Sequence, residues 1–177
     1  MSSPSSVRSA TRLSDAVEIV RRAGGVARVR VLTGSGVSPH VIGRALEQGA
    51  LHRVRKGWLA LPDADAFLIA AARAGVVLTC VTQARRLGLW VLHDGPPHLG
   101  APAHSGGVTP TGGHVHWARP PVPRHPDALE DPIENVLAIA AACAPYEVAR
   151  AIWESAIAQN LVAVAAMRRL PLGPAAR

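Results

Sequence analysis

The sequence predicts an α+β fold, mainly α, in two parts: a helix-rich segment ending in a β-hairpin, then a small mixed α/β domain with C-terminal helices. Three observations predict it. Residues 24–61 read as helix, turn, helix and two short strands joined at Lys56-Gly57. Charge is segregated: Met1 to Pro62 holds ten basic residues against three acidic ones, whereas Asp63 to Arg177 holds nine of each. Hydrophobic residues make up 49% of the 177, enough for packed cores, and no apolar run nears the ~20 residues a membrane helix needs.

Residues 1–12 are Ser-rich and basic and lack the apolar segment of a secretory signal, so a disordered tail is expected there. Ser14 is the expected cap of a first helix with Asp15 in its first turn. Ala16, Val17, Val20 and Ala23 form its apolar face, and Gly24-Gly25 end it. A second short helix is expected over 28–32, with Val29 and Leu32 inward and Arg28 and Arg30 outward; 33–36, Thr-Gly-Ser-Gly, is the turn. Ser38 then caps a third helix with Pro39 at its first position, where a missing N–H costs nothing. Ile42, Ala45 and Leu46 face inward, while His40, Gly43, Arg44 and Glu47 lie on the opposite face. Gly43 is costly inside a helix and therefore suggests close approach to something. Residues 51–55, Leu-His-Arg-Val-Arg, make a half-buried strand, Lys56-Gly57 turn, and 58–61 return.

Helix, turn, helix and a cation-rich hairpin together are the layout of a winged helix-turn-helix over 13–62, a unit whose third helix reads base edges and whose wing grips phosphates. On this reading Ser38, His40 and Arg44 meet bases, and Arg28, Arg30, Arg53, Arg55 and Lys56 complete the DNA contacts. A plain solvated helix face is the alternative. Trp58 is expected as a core anchor rather than a base-stacking platform, since one isolated aromatic makes a poor one.

A second domain is expected over 63–171, opening at Pro62–Asp65 with Asp63 or Asp65 capping a helix that ends at Gly75. Residues 76–81 are a continuous apolar run read as a buried strand, 82–87 a short helix, and 89–92 a further strand. From His93 to Pro126 the chain is rich in Gly, Pro and His, with one strand expected at 114–117; the rest is either ordered edge strands or a mobile loop. Asp131 caps and Pro132 starts a helix to Cys143. A helix from Pro145 turns Val148, Ile152 and Ile157 inward, a short helix covers 161–170, and 172–177 are a tail.

Sites for chemistry are sparse. Six of eight histidines fall between His93 and His125, and His114-x-His116 would share one strand face, but no ligand set of suitable spacing completes them. Solvated loop histidines and no metal are expected. Cys80 and Cys143 lie in apolar contexts without a Cys-x-x-Cys spacing and read as buried free thiols in the cytosol. No phosphate loop, Gly-x-Ser-x-Gly elbow or His-Glu-x-x-His is present, and a nuclease of the Asp/Glu-x-Lys type cannot be built around the one lysine, Lys56. The chain is therefore expected to be no enzyme, with no catalytic residues and no cofactor. A hydrolase using the His-rich segment would require metal in the purified protein.

The run G-G-V-A-x-x-x-x-L-x-x-x-G-V-S followed by R-V-R-K-G-W resembles the N-terminal domain of AbiEi-type antitoxins of abortive-infection toxin–antitoxin systems. The later blocks A-A-A-R-A-G-V-V-L-T-C-V-T-Q-A-R-R-L-G-L-W-V-L, V-H-W, D-P-I-E-N-V-L-A and A-I-W-E-S-A are similar to the middle region of actinobacterial proteins that continue into a Vsr-like endonuclease domain. No stretch up to Arg177 matches that nuclease-like domain, so the resemblance implies no nuclease activity here. It implies a cytoplasmic, DNA-binding transcription regulator that represses its own operon, with double-stranded DNA as partner and a cognate toxin protein as a second. Membrane partners are not expected, and a monomer and a homodimer both suit the reading. The competing class is a protein-interaction or DNA-targeting module for a toxin or nuclease.

Overall fold

The computed structural model of the chain describes residues 4–92, 95–101 and 112–172, and of residues 4–12 the backbone alone. It is mixed α/β, with helix far outweighing strand. The chain divides into two compact units, Met1–Arg73 and Ala74–Arg177.

The first unit opens with α1, Pro4–Arg22. This helix takes in most of the expected tail, and Ser14 lies well inside it instead of capping it. No proline or glycine interrupts 5–23, and Pro4 suits a first helical turn, so nothing stops the helix earlier. Residues 1–3 lie outside the described ones. Gly24 and Gly25 end α1 with φ of 79° and 88°, and the Gly25 N–H donates to the Val20 carbonyl at 2.9 Å. Only glycine reaches that left-handed turn without a Cβ penalty.

There follow β1 (Val26–Arg28), α2 (Val29–Gly34), α3 (Pro39–Glu47), β2 (His52–Arg55) and β3 (Trp58–Ala60). The strands form one antiparallel sheet in the order β1-β3-β2. Three residues are too few for periodicity to reveal β1, so Arg28, expected to open a helix, instead ends a strand, and α2 begins at Val29. Ser38 caps α3 as expected, its Oγ accepting from the Val41 N–H at 3.3 Å. Leu32, Ala45, Leu51 and Leu59 are buried among Ala16, Val20 and Ile42. Each fully buried large aliphatic side chain contributes about 1.5–3 kcal/mol against its exposed form.

Helix α4 (Ala66–Ala74) was expected to open the second domain, yet all but its last residue lies in the first unit. Leu68 is buried, and a Cβ added at Gly24 would meet its Cδ1 at 3.6 Å, so this helix packs beside the glycine stop of α1. The capping carboxylate is that of Asp65, which accepts from the Phe67 N–H at 2.7 Å.

The second unit contains β4 (Val77–Leu78), α5 (Cys80–Arg86), β5 (His98–Gly100), β6 (His114–His116), α6 (Ile133–Cys143), α7 (Tyr146–Ala158) and α8 (Val164–Met167). Its sheet runs β4-β5-β6, antiparallel and then parallel. The apolar run expected as one strand over 76–81 stops at Leu78, because Cys80 takes a φ of 50° and turns the chain into α5. Residues 89–92 form no strand: the Leu89 N–H closes the end of α5 on the Ala84 carbonyl, and the Trp90 N–H donates to Ser155 Oγ. The Gly/Pro/His-rich segment does hold edge strands, β5 and β6; its residues 93–94 and 102–111 lie outside the described ones.

Val136, Leu137, Ile152 and Met167 centre the second core. Ile157, expected inward, is 40% exposed, and Ala156 takes the buried position. Leu172, expected to open a tail, is buried in this core, while 173–177 lie outside the described residues. Asp131 does not cap α6, whose N-cap position belongs to Pro132. Its buried carboxylate instead takes a two-bonded ion pair from Arg124, at 2.8 and 2.6 Å, and accepts from Asn135 Nδ2 at 2.9 Å. Among the described residues no helix is long and apolar enough to cross a membrane.

Candidate nucleic-acid interface and a half-buried Cys–His cluster

In the first unit, eleven basic residues stand against five acidic ones, a net +6. Local chemistry positions the cations. With Val41, Ile42 and Ala45 buried, α3 turns Ser38, His40 and Glu47 to the outside, with Arg44 half-buried beside them. Gly43 lies on the same helix with nothing among the described residues within 4 Å of a Cβ built on it, so no contact with them demands a glycine there. Arg30 on α2 is exposed, as are Arg53 on β2 and Lys56 at the hairpin turn.

Arg28 and Arg55 are placed differently from the other expected DNA contacts. Strand register sets Arg28, Trp58 and Arg55 side by side across the sheet. The two guanidiniums lie over the Trp58 indole, at 4.7 and 5.9 Å from the ring centroid, within cation–π reach. Trp58 is buried, as an anchor should be. Burial and then the charge of Arg28 lower the pKa of Arg55. A register shift between Arg53 and Arg55 makes this row possible. Without it, strict alternation would set Val54 opposite Trp58 and turn Arg55 away. Sequence periodicity carries no signal for such a bulge.

The second unit assembles a constellation that spacing alone did not reveal. Cys80, His98, His116 and Cys143 each offer a ligand atom, and all four atoms lie within 4.8 Å of one another. Cys80 opens α5 directly after β4, His98 starts β5, His116 ends β6 and Cys143 ends α6. His98 Nδ1 lies 3.2 Å from His116 Nε2 and 3.5 Å from Cys143 Sγ. The parallel β5–β6 pairing sets His98 opposite His114 and Gly100 opposite His116. The pleat then places all three imidazoles on one face. The His98 N–H donates to Thr82 Oγ1 at 2.7 Å, joining β5 to α5.

Burial, the neighbouring Cys143 thiol and little else push the Cys80 thiol up to about 12. Burial, with His114 and His98 adding to it, holds His116 down at about 4, and burial followed by His114 lowers His98. Both shifts favour the neutral form of the His98 and His116 imidazoles, the form that binds metals. A cavity of about 860 Å³ opens beside the cluster, with His116, Cys143, Arg119 and Ile139 in its wall. The expectation of solvated loop histidines thus gives way for His98 and His116; Cys80 and Cys143 are free thiols as expected, Cys80 buried and Cys143 half-buried, but they stand together beside the imidazoles. The nearest sequence signal was the abundance of histidine between His93 and His125, but the thiols come from α5 and α6, 63 residues apart.

No known protein family matches the chain, and no curated protein is significantly similar to it.

Proposed function

We propose that the first unit is a winged helix-turn-helix and that the protein is a sequence-specific, double-stranded DNA-binding regulator of the AbiEi-like antitoxin type, acting in the cytoplasm to repress its own operon. The observation that carries this reading is the exposed N-terminal end of α3, with Ser38 and His40, in the same +6 unit as the cationic hairpin. In such units Arg44 and His40 read base edges, and Arg30, Arg53 and Lys56 hold phosphates, where counterion release supplies affinity. The Arg28–Trp58–Arg55 row adds support, because it sets two further guanidiniums side by side at the hairpin.

Fluorescence anisotropy of the full chain on its own upstream DNA and on scrambled DNA, each across a salt series, tests the reading. A steep salt slope with a preference of ~10³ or more for the upstream fragment is expected. A steep slope without preference would leave a nonspecific DNA clamp, and no binding at low salt would end the DNA reading.

A second reading has its own support. Trp90, Trp117 and Tyr146 of the second unit are 58%, 61% and 73% exposed, and exposed aromatics are enriched at protein interfaces. This favours a module that engages a toxin or nuclease. Co-expression with the neighbouring gene product should then yield a complex that persists in high salt and without DNA.

A further inference from the structure

We propose that Cys80, His98, His116 and Cys143 form a four-coordinate site for a borderline-soft divalent cation, Zn²⁺ foremost, which ties the second unit together. The donor set excludes the hard cations: two thiols and two imidazoles suit zinc, whereas Mg²⁺ and Ca²⁺ take oxygen ligands. The spacing fits as well. Bonds of about 2.3 Å to sulfur and about 2.0 Å to nitrogen at tetrahedral angles separate two nitrogens by ~3.3 Å and a sulfur from a nitrogen by ~3.5 Å. The His98–His116 and His98–Cys143 separations here are 3.2 and 3.5 Å, and all four ligand atoms lie within 4.8 Å of one another.

The surroundings fit a closed, structural centre. Four ligands from four elements leave no coordination position for a substrate. The strands involved are only two or three residues long, so backbone pairing alone holds β5 and β6 weakly. A cation bound to α5, β5, β6 and α6 would cross-link them. Cys80 is held at a φ of 50°, a strained conformation for a residue with a Cβ, with its thiol in the cluster. The cavity beside His116 and Cys143 gives the ion an entry path.

The binding step balances. Zn²⁺ accepts lone pairs from His98 Nδ1 and His116 Nε2, whose ring protons sit on the other nitrogens. The Cys80 and Cys143 thiols each lose a proton to solvent, leaving a neutral centre and two released protons. His114, whose ring lies 4.6 Å from that of His116, is exposed and stays outside the ligand set.

The test uses the full chain, reduced and stripped with a chelator, then titrated with Zn²⁺ and with Co²⁺. One equivalent of Zn²⁺ per chain is expected, and Co²⁺ should show the intense visible bands of four-coordinate geometry plus a near-ultraviolet thiolate charge-transfer band. The Cys80→Ser/Cys143→Ser variant should lose the equivalent and the charge-transfer band, whereas His114→Ala should keep both. The wild-type chain alone also suffices, should the double variant fail to fold: one equivalent of Zn²⁺ should protect both thiols from alkylation. No stoichiometric binding, unprotected thiols in the presence of Zn²⁺, or loss of the metal in His114→Ala would overturn the assignment. So would a Cys80–Cys143 disulfide in air-oxidised protein whose reduced form takes up no metal. None of these readouts depends on DNA binding.

Discussion

The two units place their polar chemistry on opposite sides of their surfaces. In the first, apolar side chains fill the core and the exposed cations, Arg30, Arg53 and Lys56, face outward. In the second, the polar groups go in: Arg124, Asp131 and Asn135 bond to one another in the interior, and the Cys–His cluster gathers behind β5 and β6. Arg124 even lies where a Cβ at Gly100 would stand, so the glycine makes room for the guanidinium, which also donates to the Ala101 carbonyl at 2.9 Å. An outward polar face is available to a partner; an inward polar network instead specifies one arrangement of its own chain. The segregation of charge along the sequence has its counterpart here: the second unit's charges nearly balance and include the buried Arg124–Asp131 pair, whereas the first unit carries a net +6.

Five substitutions test this contrast. Asp131→Ala should have the largest effect: it strands Arg124, whose side chain is 8% exposed, and breaking a buried pair costs about 3–5 kcal/mol. Urea unfolding should show the loss in the second unit while the DNA affinity of the folded protein stays unchanged. A cost below ~1 kcal/mol would mean that Arg124 reaches solvent and that the network is no interior frame.

Next in size, Arg44→Ala should relax preference at one base position by ~1–3 kcal/mol, whereas Lys56→Ala should weaken all DNA about equally and lower the salt slope by ~1. Equal behaviour of the two variants would remove the distinction between α3 and the hairpin. Ser38→Ala removes the α3 cap and should destabilise the first unit by ~1 kcal/mol, read from its unfolding midpoint. The smallest change has the opposite sign. Gly43→Ala meets no atom of the described residues within 4 Å and should stabilise α3 by up to ~1 kcal/mol. If α3 approaches a duplex closely, the same methyl group should weaken DNA binding; unchanged affinity would mean the glycine serves no close approach.

Local grammar was enough wherever the signal lies within a few residues. The cap at Ser38 with Pro39 behind it, the glycine stop at Gly24-Gly25, the Lys56-Gly57 turn and the buried Trp58 were all legible, because capping, φ > 0 and alternation act over short range. So was the charge division, a property of composition alone. Tertiary structure decided what requires distant partners. β1 exists because β3 is there to pair with it, and the register shift that brings Arg55 over Trp58 is set by that pairing. The division falls at 73/74, with Leu68 of α4 set beside Gly24. Asp131 leaves its expected cap for Arg124, a stronger, charged partner that the chain supplies only once 122–135 has folded back. Cys80 and Cys143 looked inert singly, and only the packing of α5, β5, β6 and α6 sets them beside two imidazoles. Spacing along a chain can announce a metal site only when its ligands share one or two turns, and these four come from four separate elements.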